Sequence, residues 1–389
     1  MSALAAPPTT TTTAPRTARV TGHFAAVALV PHLEARGFAV DLADAAAPPE
    51  PAPPPFDFVW ETTCPKAWAA HHASARLRNV LTGGVVLEDK ALLALLGHKM
   101  DVPTVPTEVF GTGKALAAWG AHLWGSGAAP DPDWWVIKAA AGNGGTDVLM
   151  CHANNWRALT ARLCALPDEW RVAQRYVRRP ALWRNRKFHV RVFVTIRADL
   201  SALAYRKGFI YSANEEFNFA EDTANVDGAA QVHLTNYATN KHHPQYPGAY
   251  PCDFIDEYPK AWPRILDLVR SLVDASALCL KRQPCAGGFE FLGLDVMLDR
   301  DETVPWLLEV NRLPGMALTP RTKDLEQTLW EPMLADFFDA VVDGKPPARW
   351  VVAREAKPGE ADTDCGPTGL ALATLELVGL RRGKKGWKL

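Results

Sequence analysis

The sequence predicts a mixed α/β (α+β) protein whose strands are joined by short turns and packed with amphipathic helices. Three observations lead there. WWVIKAAAGNGGTDVLM at 134–150 sets two apolar stretches around a glycine loop, the pattern of a hairpin wrapped around something. FEFLGLDVMLDRDETVPWLLEVN at 289–311 repeats it with a polar turn. AWPRILDLVRSLVDASALCL at 261–280 places Ile265, Leu268, Val269, Leu272, Cys279 and Leu280 on one helical face.

Length and composition bound the reading. The chain has 389 residues, 48% apolar and 22% charged, enough for two or three packed units and too ordinary for wholesale disorder, collagen or a coiled coil. Forty-two Lys and Arg face 43 Asp and Glu, a net charge of -1, which argues against a generally cationic nucleic-acid coat. Seven cysteines, Cys64, Cys151, Cys164, Cys252, Cys279, Cys285 and Cys365, form no CxxC pair, so a reducing, cytoplasmic setting is expected. No run approaches the ~18 apolar residues of a membrane span, so a soluble protein with no membrane partner is expected.

The elements follow in order. Residues 1–20 read as a disordered Pro/Thr leader rather than a transit peptide, because no basic amphipathic face is present. Residues 21–100 form an N-terminal lobe, interrupted by a proline-rich spacer at 45–55. Within it, FAAVALVPHLEARGFAVDLA reads as a strand and a short helix, FDFVWE as a strand ending on Glu61, and GGVVLEDKALLALLGHKM as a loop entering a helix. Residues 101–180 form a central lobe and 181–345 a C-terminal lobe. Alternating basic and apolar residues in EWRVAQRYVRRP and KFHVRVFVTIRADLSALAYRKGFIYSA continue the strands. A helix carrying Leu325, Leu329, Met333, Phe337 and Val341 is expected to kink or restart at Pro332. Residues 346–389 thin into a tail ending RRGKKGWKL, and no internal repeat is visible.

Four constellations carry chemistry. Asp295 interrupts an apolar strand, and Glu309 and Asn311, two apart, project from one strand face. Three oxygen donors amid Leu292, Leu294 and Leu307 suit a hard cation such as Mg2+ that shares its shell with phosphates; a wetted strand end is the bland alternative. Lys138, ahead of the glycine loop, supplies a point charge where backbone N–H groups approach phosphate oxygens, although a plain hairpin turn has the same residues. Arg171, Arg175, Arg178, Arg179, Arg184, Arg186, Lys187 and Arg191 place eight cations in 21 residues without an acid. An anionic partner is expected, nucleotide phosphates plus an acidic protein rather than nucleic acid, since stacking aromatics are sparse; a solvated face is the alternative. HLTNYATNK at 233–241 offers Thr235 and Asn236 to a small polar substrate, or to an Asx-type turn.

KFHVRVFVTI, YRKGFIYSANEEF, HLTNYATNK, FEFLGLDVMLD and VPWLLEVNRLPGM, in this order, resemble the tubulin-tyrosine ligase-like family of ATP-grasp ligases between Lys90 and Val342. The resemblance implies an ATP-grasp fold, two antiparallel-sheet lobes gripping ATP beside a smaller N-terminal α/β lobe. It implies an ATP- and Mg2+-dependent ligase of glutamylase, glycylase or tyrosine-ligase type that joins a free amino acid to an acidic protein acceptor, with tubulin tails foremost; the basic stretch favours glutamate or another small amino acid as the added group. A cytoplasmic, microtubule or ciliary location goes with that activity. Carried over, Lys90 and Lys138 contact phosphates. Gln174, the Arg175, Tyr176 and Val177 backbone and Lys187 hold the adenine side. Arg191 and Arg206 face the γ-phosphate and acyl phosphate. Thr235 and Asn236 line the nucleotide and amino-acid pocket, and Asp295, Glu309 and Asn311 hold Mg2+. The family's KFDxR reads with His189 in this chain, an imidazole where a carboxylate contacts ribose or substrate. Ala139, Asn143 and Thr146 depart from its phosphate loop. These departures carry the rival reading, a catalytically weakened nucleotide- or tubulin-binding module.

Overall fold

The structure is a computed structural model describing residues 16–42, 54–62, 72, 74–81, 83–125, 134–141, 148–218, 231–244, 246, 249–252, 257–277, 279–280, 287–300, 304–315, 325–358, 381–383 and 386–388. Strands β1 (Arg16–Val20), β2 (Phe38–Asp41), β3 (Phe58–Trp60) and β4 (Leu77–Arg78) form a parallel sheet in the order β2-β1-β3-β4, with helix α1 (His23–Glu34) between the first two. Two expectations are corrected here. Strand β1 lies inside the span assigned to a leader, because Ala18 and Val20 are buried against β2 and β3, and two small apolar residues are too few for a legible period. The stretch from residue 24 reads as helix first and strand second. Gly22 closes the β1–α1 turn at φ +92°, where a Cβ would stand 2.7 Å from Thr62 Oγ1, so only glycine suits it. Residues 1–15 and most of the proline-rich spacer lie outside the described residues.

Helix α2 (Val85–Glu88) leads to α3 (Lys90–Met100), whose N-cap Asp89 accepts from the Ala91 and Leu92 amides. That cap starts the helix one residue before Lys90 and fixes where this lysine emerges. Next, β5 (Thr107–Phe110), β6 (Trp135–Ala139), β7 (Leu149–Cys151) and β8 (Arg171–Arg175) build an antiparallel sheet ordered β5-β8-β6-β7. Helices α4 (Gly113–Trp124) and α5 (Trp156–Cys164) cover one face through Trp119, Trp124 and Trp156. The expected hairpin is β6–β7; its glycine loop, 142–147, with Asn143 and Thr146, lies outside the described residues.

The largest sheet is assembled around β10 (Arg186–Arg197). It contains β9 (Leu182–Trp183), β11 (Ala202–Tyr205), β12 (Phe209–Ser212), β13 (Ala249–Pro251), β14 (Phe289–Leu298), β15 (Pro305–Arg312) and β16 (Trp350–Arg354). A short helix, α6 (Tyr237–Asn240), precedes β13, and α7 (Glu257–Ser276) packs on the sheet. Cys279 and Leu280 are buried just beyond the end of α7 rather than on its face. A π-type turn at Glu326–Trp330 runs into α8 (Glu331–Val341), with Pro332 in its first turn, a position where proline is common. Two antiparallel sheets and a smaller N-terminal α/β lobe are the expected fold. Among the described residues no helix is long and apolar enough to cross a membrane.

Alternation along β10 decides what each face does. Val190, Val192 and Val194 join Ile265, Leu268 and Leu272 of α7 in one core, whereas His189, Arg191 and Phe193 share the opposite face. Phe193 enters a second core in which Trp60, Phe289, Phe291, Phe337 and Phe338 weld the parallel sheet to the large one. The Phe337 ring lies 5.2 Å from that of Phe291 and 6.2 Å from that of Trp60. Arg36 reinforces this junction, giving hydrogen bonds to Asp339 Oδ1 at 2.6 Å and Ala335 O at 3.2 Å. Phe337→Ala is expected to destabilise the chain by about 3–5 kcal/mol; urea unfolding measures it, and a loss under about 1 kcal/mol would place the weld elsewhere.

Candidate functional site

A cavity of about 390 Å³ opens between the two antiparallel sheets, within the size range of small-molecule sites. Strand β6 contributes Lys138, the end of β8 contributes Gln174 to Val177, and β10 contributes Lys187, His189 and Arg191. The 233–237 segment supplies Thr235 and Asn236, β14 supplies Asp295, and β15 supplies Glu309 and Asn311. Lys90 enters from the start of α3. The residues to which the resemblance gives a binding or catalytic role are walls of this cavity, with one exception. Arg206 lies outside it, exposed after β11, with its amide donating to Arg349 O.

Register brings the charges together. Arg191 is directly opposite Asp295 in the β10–β14 ladder, and Asp295 is opposite Glu309 in the β14–β15 ladder. The Arg191 guanidinium grips Asp295 with both arms, Nε to Oδ1 at 2.5 Å and Nη2 to Oδ2 at 3.0 Å, the fork geometry of a strong ion pair. Asn311 Nδ2 donates to Asp295 Oδ2 at 3.2 Å, and Lys90 Nζ stands 3.6 Å from Glu309 Oε2. Gly293 makes room, because a Cβ there would meet Arg191 Cδ at 2.7 Å and Pro314 Cβ at 2.8 Å.

Burial alone would raise the Asp295 pKa, but Arg191 beside it, followed by His189, leaves the carboxyl below its usual range. Burial of Arg191 opposes its charge, and Asp295 more than compensates, raising its pKa. The two inner lysines have no such carboxylate against them. Lys138 Nζ donates to Gln174 Oε1 at 2.8 Å, and Lys187 Nζ lies 3.7 Å from the Tyr176 ring centre. Burial lowers both pKa values, that of Lys187 well below the ordinary value, and the Lys138 charge depresses Lys187 further. Four cations, Lys90, Lys138, Lys187 and Arg191, thus face two carboxylates, and a polyanion would relieve their desolvation and repulsion.

The oxygen set has a different use. Among the described residues no three His, Cys, Asp or Glu side chains converge as a metal cluster. Two carboxylates and the Asn311 carboxamide stand side by side instead, a hard donor set that fits Mg2+, which keeps waters and takes phosphate oxygens as its remaining ligands.

The basic stretch divides. Lys187 and Arg191 turn into the cavity, while Arg175, Arg179 and Arg184 are exposed. Arg184 and Asn185 carry the β9–β10 turn at φ +52° and +60°, and the Arg184 guanidinium lies 4.4 Å from the Trp183 ring centre. In the 233–241 motif, Asn240 fixes the loop by donating to Leu234 O at 2.7 Å and Asn236 O at 3.2 Å. Sequence reasoning passed over Tyr211, Met297 and Leu308 as walls. Tyr211 is the cross-strand partner of His189, a relation only strand pairing reveals; His233 and Tyr237 were inside a motif already singled out.

Arg191→Ala leaves Asp295 buried without its cation and is expected to cost about 3–5 kcal/mol. Glu309→Gln acts on a side chain 30% exposed and is expected to cost under about 1 kcal/mol. Thermal unfolding of both variants tests the contrast, and equal losses would refute it.

The profile of the Tubulin-tyrosine ligase family matches residues 116–251 and 256–348. A Mus musculus protein named probable tubulin polyglutamylase TTLL9 is 34% identical over 168 residues, 39% of this chain and 34% of the relative. The Mus musculus tubulin polyglutamylase TTLL13 is 27% identical over 202 residues, 45% of this chain and 24% of the relative. The Caenorhabditis elegans probable tubulin polyglutamylase ttll-9 is 29% identical over 209 residues, 48% of this chain and 47% of the relative. The chain thus spans less than half the length of each of these relatives. The family match takes in more than half of the sequence and every wall residue named above except Lys90, and the chain belongs to the tubulin-tyrosine ligase family.

Proposed function

We propose that this protein is an ATP-dependent carboxylate–amine ligase that joins an amino acid to an acidic protein acceptor, with tubulin the acceptor and glutamate the added group. The observation that carries it is the cavity in which half-buried Lys138 and buried Lys187 and Arg191 face the Asp295, Glu309 and Asn311 oxygen set. The printed names of the relatives, tubulin polyglutamylases, support the acceptor and the added group. The exposed cations Arg175, Arg179 and Arg184 suit an acidic tail. Tubulin as acceptor implies a cytoplasmic or ciliary, microtubule-associated site of action.

In this reading Lys90 and Lys138 hold the phosphates, while Gln174, Lys187 and the backbone from Arg175 through Tyr176 to Val177 hold the adenine side. Thr235 and Asn236 line the amino-acid end. Arg206 has no part. A carboxylate is a poor electrophile at neutral pH, so the γ-phosphoryl group of ATP moves onto it, the bond from phosphorus to the β,γ-bridging oxygen breaking as the new P–O bond forms. The acceptor and donor then meet: an amine attacks the acyl phosphate, loses a proton, and inorganic phosphate leaves. Arg191 stabilises negative charge on the transferred group, which calls for no enzyme nucleophile. Asp295, Glu309 and Asn311 would hold Mg2+, which when bound neutralises phosphate charge as a Lewis acid.

The rival reading, a nucleotide-binding module without turnover, draws on His189 in place of the family's carboxylate. A nucleic-acid surface loses ground because Lys187 and Arg191 face the cavity. Mass spectrometry of tubulin and its tail peptides, with ATP and each amino acid in turn, is expected to detect additions that vanish in Glu309→Gln. Unchanged additions in that variant would overturn the metal assignment; ATP binding without ADP release under every amino acid would favour the module.

A further inference from the structure

Protein donors already engage the oxygen set of the cavity. Asp295 Oδ1 accepts from Arg191 Nε at 2.5 Å, while Oδ2 accepts from Arg191 Nη2 at 3.0 Å and from Asn311 Nδ2 at 3.2 Å. Glu309, across the ladder from Asp295, has Lys90 Nζ 3.6 Å from its Oε2. Two carboxylates side by side repel each other, and Arg191 and Lys90 offset that repulsion one acid at a time. A metal ion that takes these oxygens has to displace a protein donor or share an oxygen with it.

The two cations differ in how readily they yield. The Arg191 fork is buried, doubly bonded and fixed by the β10–β14 register, and opening it strands a buried charge. The Lys90 contact is longer than a hydrogen bond, and Glu309 is 30% exposed, so water compensates both partners when they part. Lys90 is anchored only through its backbone, which starts its helix after the Asp89 cap and donates its amide to Ala140 O at 3.0 Å, where β6 runs out. A flexible four-carbon stem separates this anchor from the ammonium, so the charge can move while the backbone stays. Lys138 stands close enough for Glu309, Lys90 and Asp295 all to act on its charge. Lys90, Lys138 and Arg191 therefore outnumber Asp295 and Glu309, and this corner repels a free divalent cation until a polyanion reverses its sign.

We propose that Lys90 is the exchangeable counter-ion of Glu309: it neutralises this carboxylate and keeps a free divalent cation out until nucleotide phosphates draw the ammonium away, so that metal and nucleotide enter together. The inference rests on the ligase reading, which supplies the triphosphate and the metal. Lys90 acts here as a positioning residue, through the carboxylate that it holds and releases. Its exchange also gives Glu309 a partner at every stage, an ammonium before the nucleotide binds and a metal ion afterwards.

Two measurements on the full chain decide it. Binding of Mn2+ without nucleotide is followed by the loss of the free-ion electron paramagnetic resonance signal. Lys90→Met and Lys90→Gln are both expected to bind Mn2+ about tenfold more tightly than wild type, a gain of about 1.4 kcal/mol. Lys90→Arg, which keeps the cation, is expected within about threefold of wild type, and adding Glu309→Gln to Lys90→Met is expected to abolish the gain. Calorimetric titration with Mg·ATP is expected to show about tenfold weaker binding in Lys90→Met, because the ammonium no longer passes to the phosphates. Equal Mn2+ affinity in wild type and both neutral variants, or a gain that survives Glu309→Gln, overturns the proposal. Tighter Mn2+ binding with unchanged Mg·ATP affinity overturns it too, since the ammonium then guards Glu309 without exchanging. A wild-type chain that binds no nucleotide overturns the ligase reading instead, a result distinct from the nucleotide-free Mn2+ comparison.

Discussion

The buried pair between Arg191 and Asp295 is the constraint around which the site is organised. Two opposite charges taken out of water gain only when geometry and extra hydrogen bonds are good, and here the geometry is imposed by the ladder. Arg191 opposite Asp295, and Asp295 opposite Glu309, leave one register for β10, β14 and β15. A slip of one residue would send Arg191 and His189 into the aliphatic core under α7 and push Val190 and Val192 into the cavity. Gly293 follows from the same pair, since the guanidinium passes over that position.

The remaining cations are positioned by elements that have little in common. Lys138 comes from the end of β6, Lys187 from β10, and Lys90 from the first turn of a helix capped by Asp89. Each would be costly alone in an apolar wall. Their partners differ: a glutamine oxygen for Lys138, an aromatic face for Lys187 and an acid for Lys90. Such partners satisfy a lysine without quenching it, and they leave the cavity receptive to anions. The parallel N-terminal sheet stands behind this arrangement, bonded to the large sheet by Trp60, Phe291 and Phe337 and by Glu290, which accepts from Leu81 N at 2.8 Å and from Arg312. Those contacts hold β14 and β15, and through them Asp295, Glu309 and Asn311.

Much of the site was legible because strands separate their faces with a period of two. Glu309 and Asn311 could be paired, and Asp295 marked as out of place in an apolar strand, without coordinates. Lys138 was legible from the abrupt end of WWVIK. Arg206 follows an apolar strand just as Lys138 does, yet it is exposed and outside the cavity lining, a difference that strand composition does not show. Tyr211 and Leu308 escaped because nothing local distinguishes an aromatic or aliphatic wall residue from a core residue. Strand β1 escaped because five residues with two small apolar side chains carry almost no pattern.

Residue types and their spacing determined the chemistry on offer: hard oxygen donors two apart, lysines at strand ends, a histidine two positions before an arginine, and the motifs shared with the tubulin-tyrosine ligase family. Those properties are local, set by covalent order and by the alternation of side chains along a strand. Only the tertiary structure decided which charges are partners and which stay available, and that Lys187 and Arg191 leave the basic stretch to face inwards. Those outcomes depend on strand register, sheet order and burial, which join residues a hundred positions apart and set the dielectric in which every charge acts.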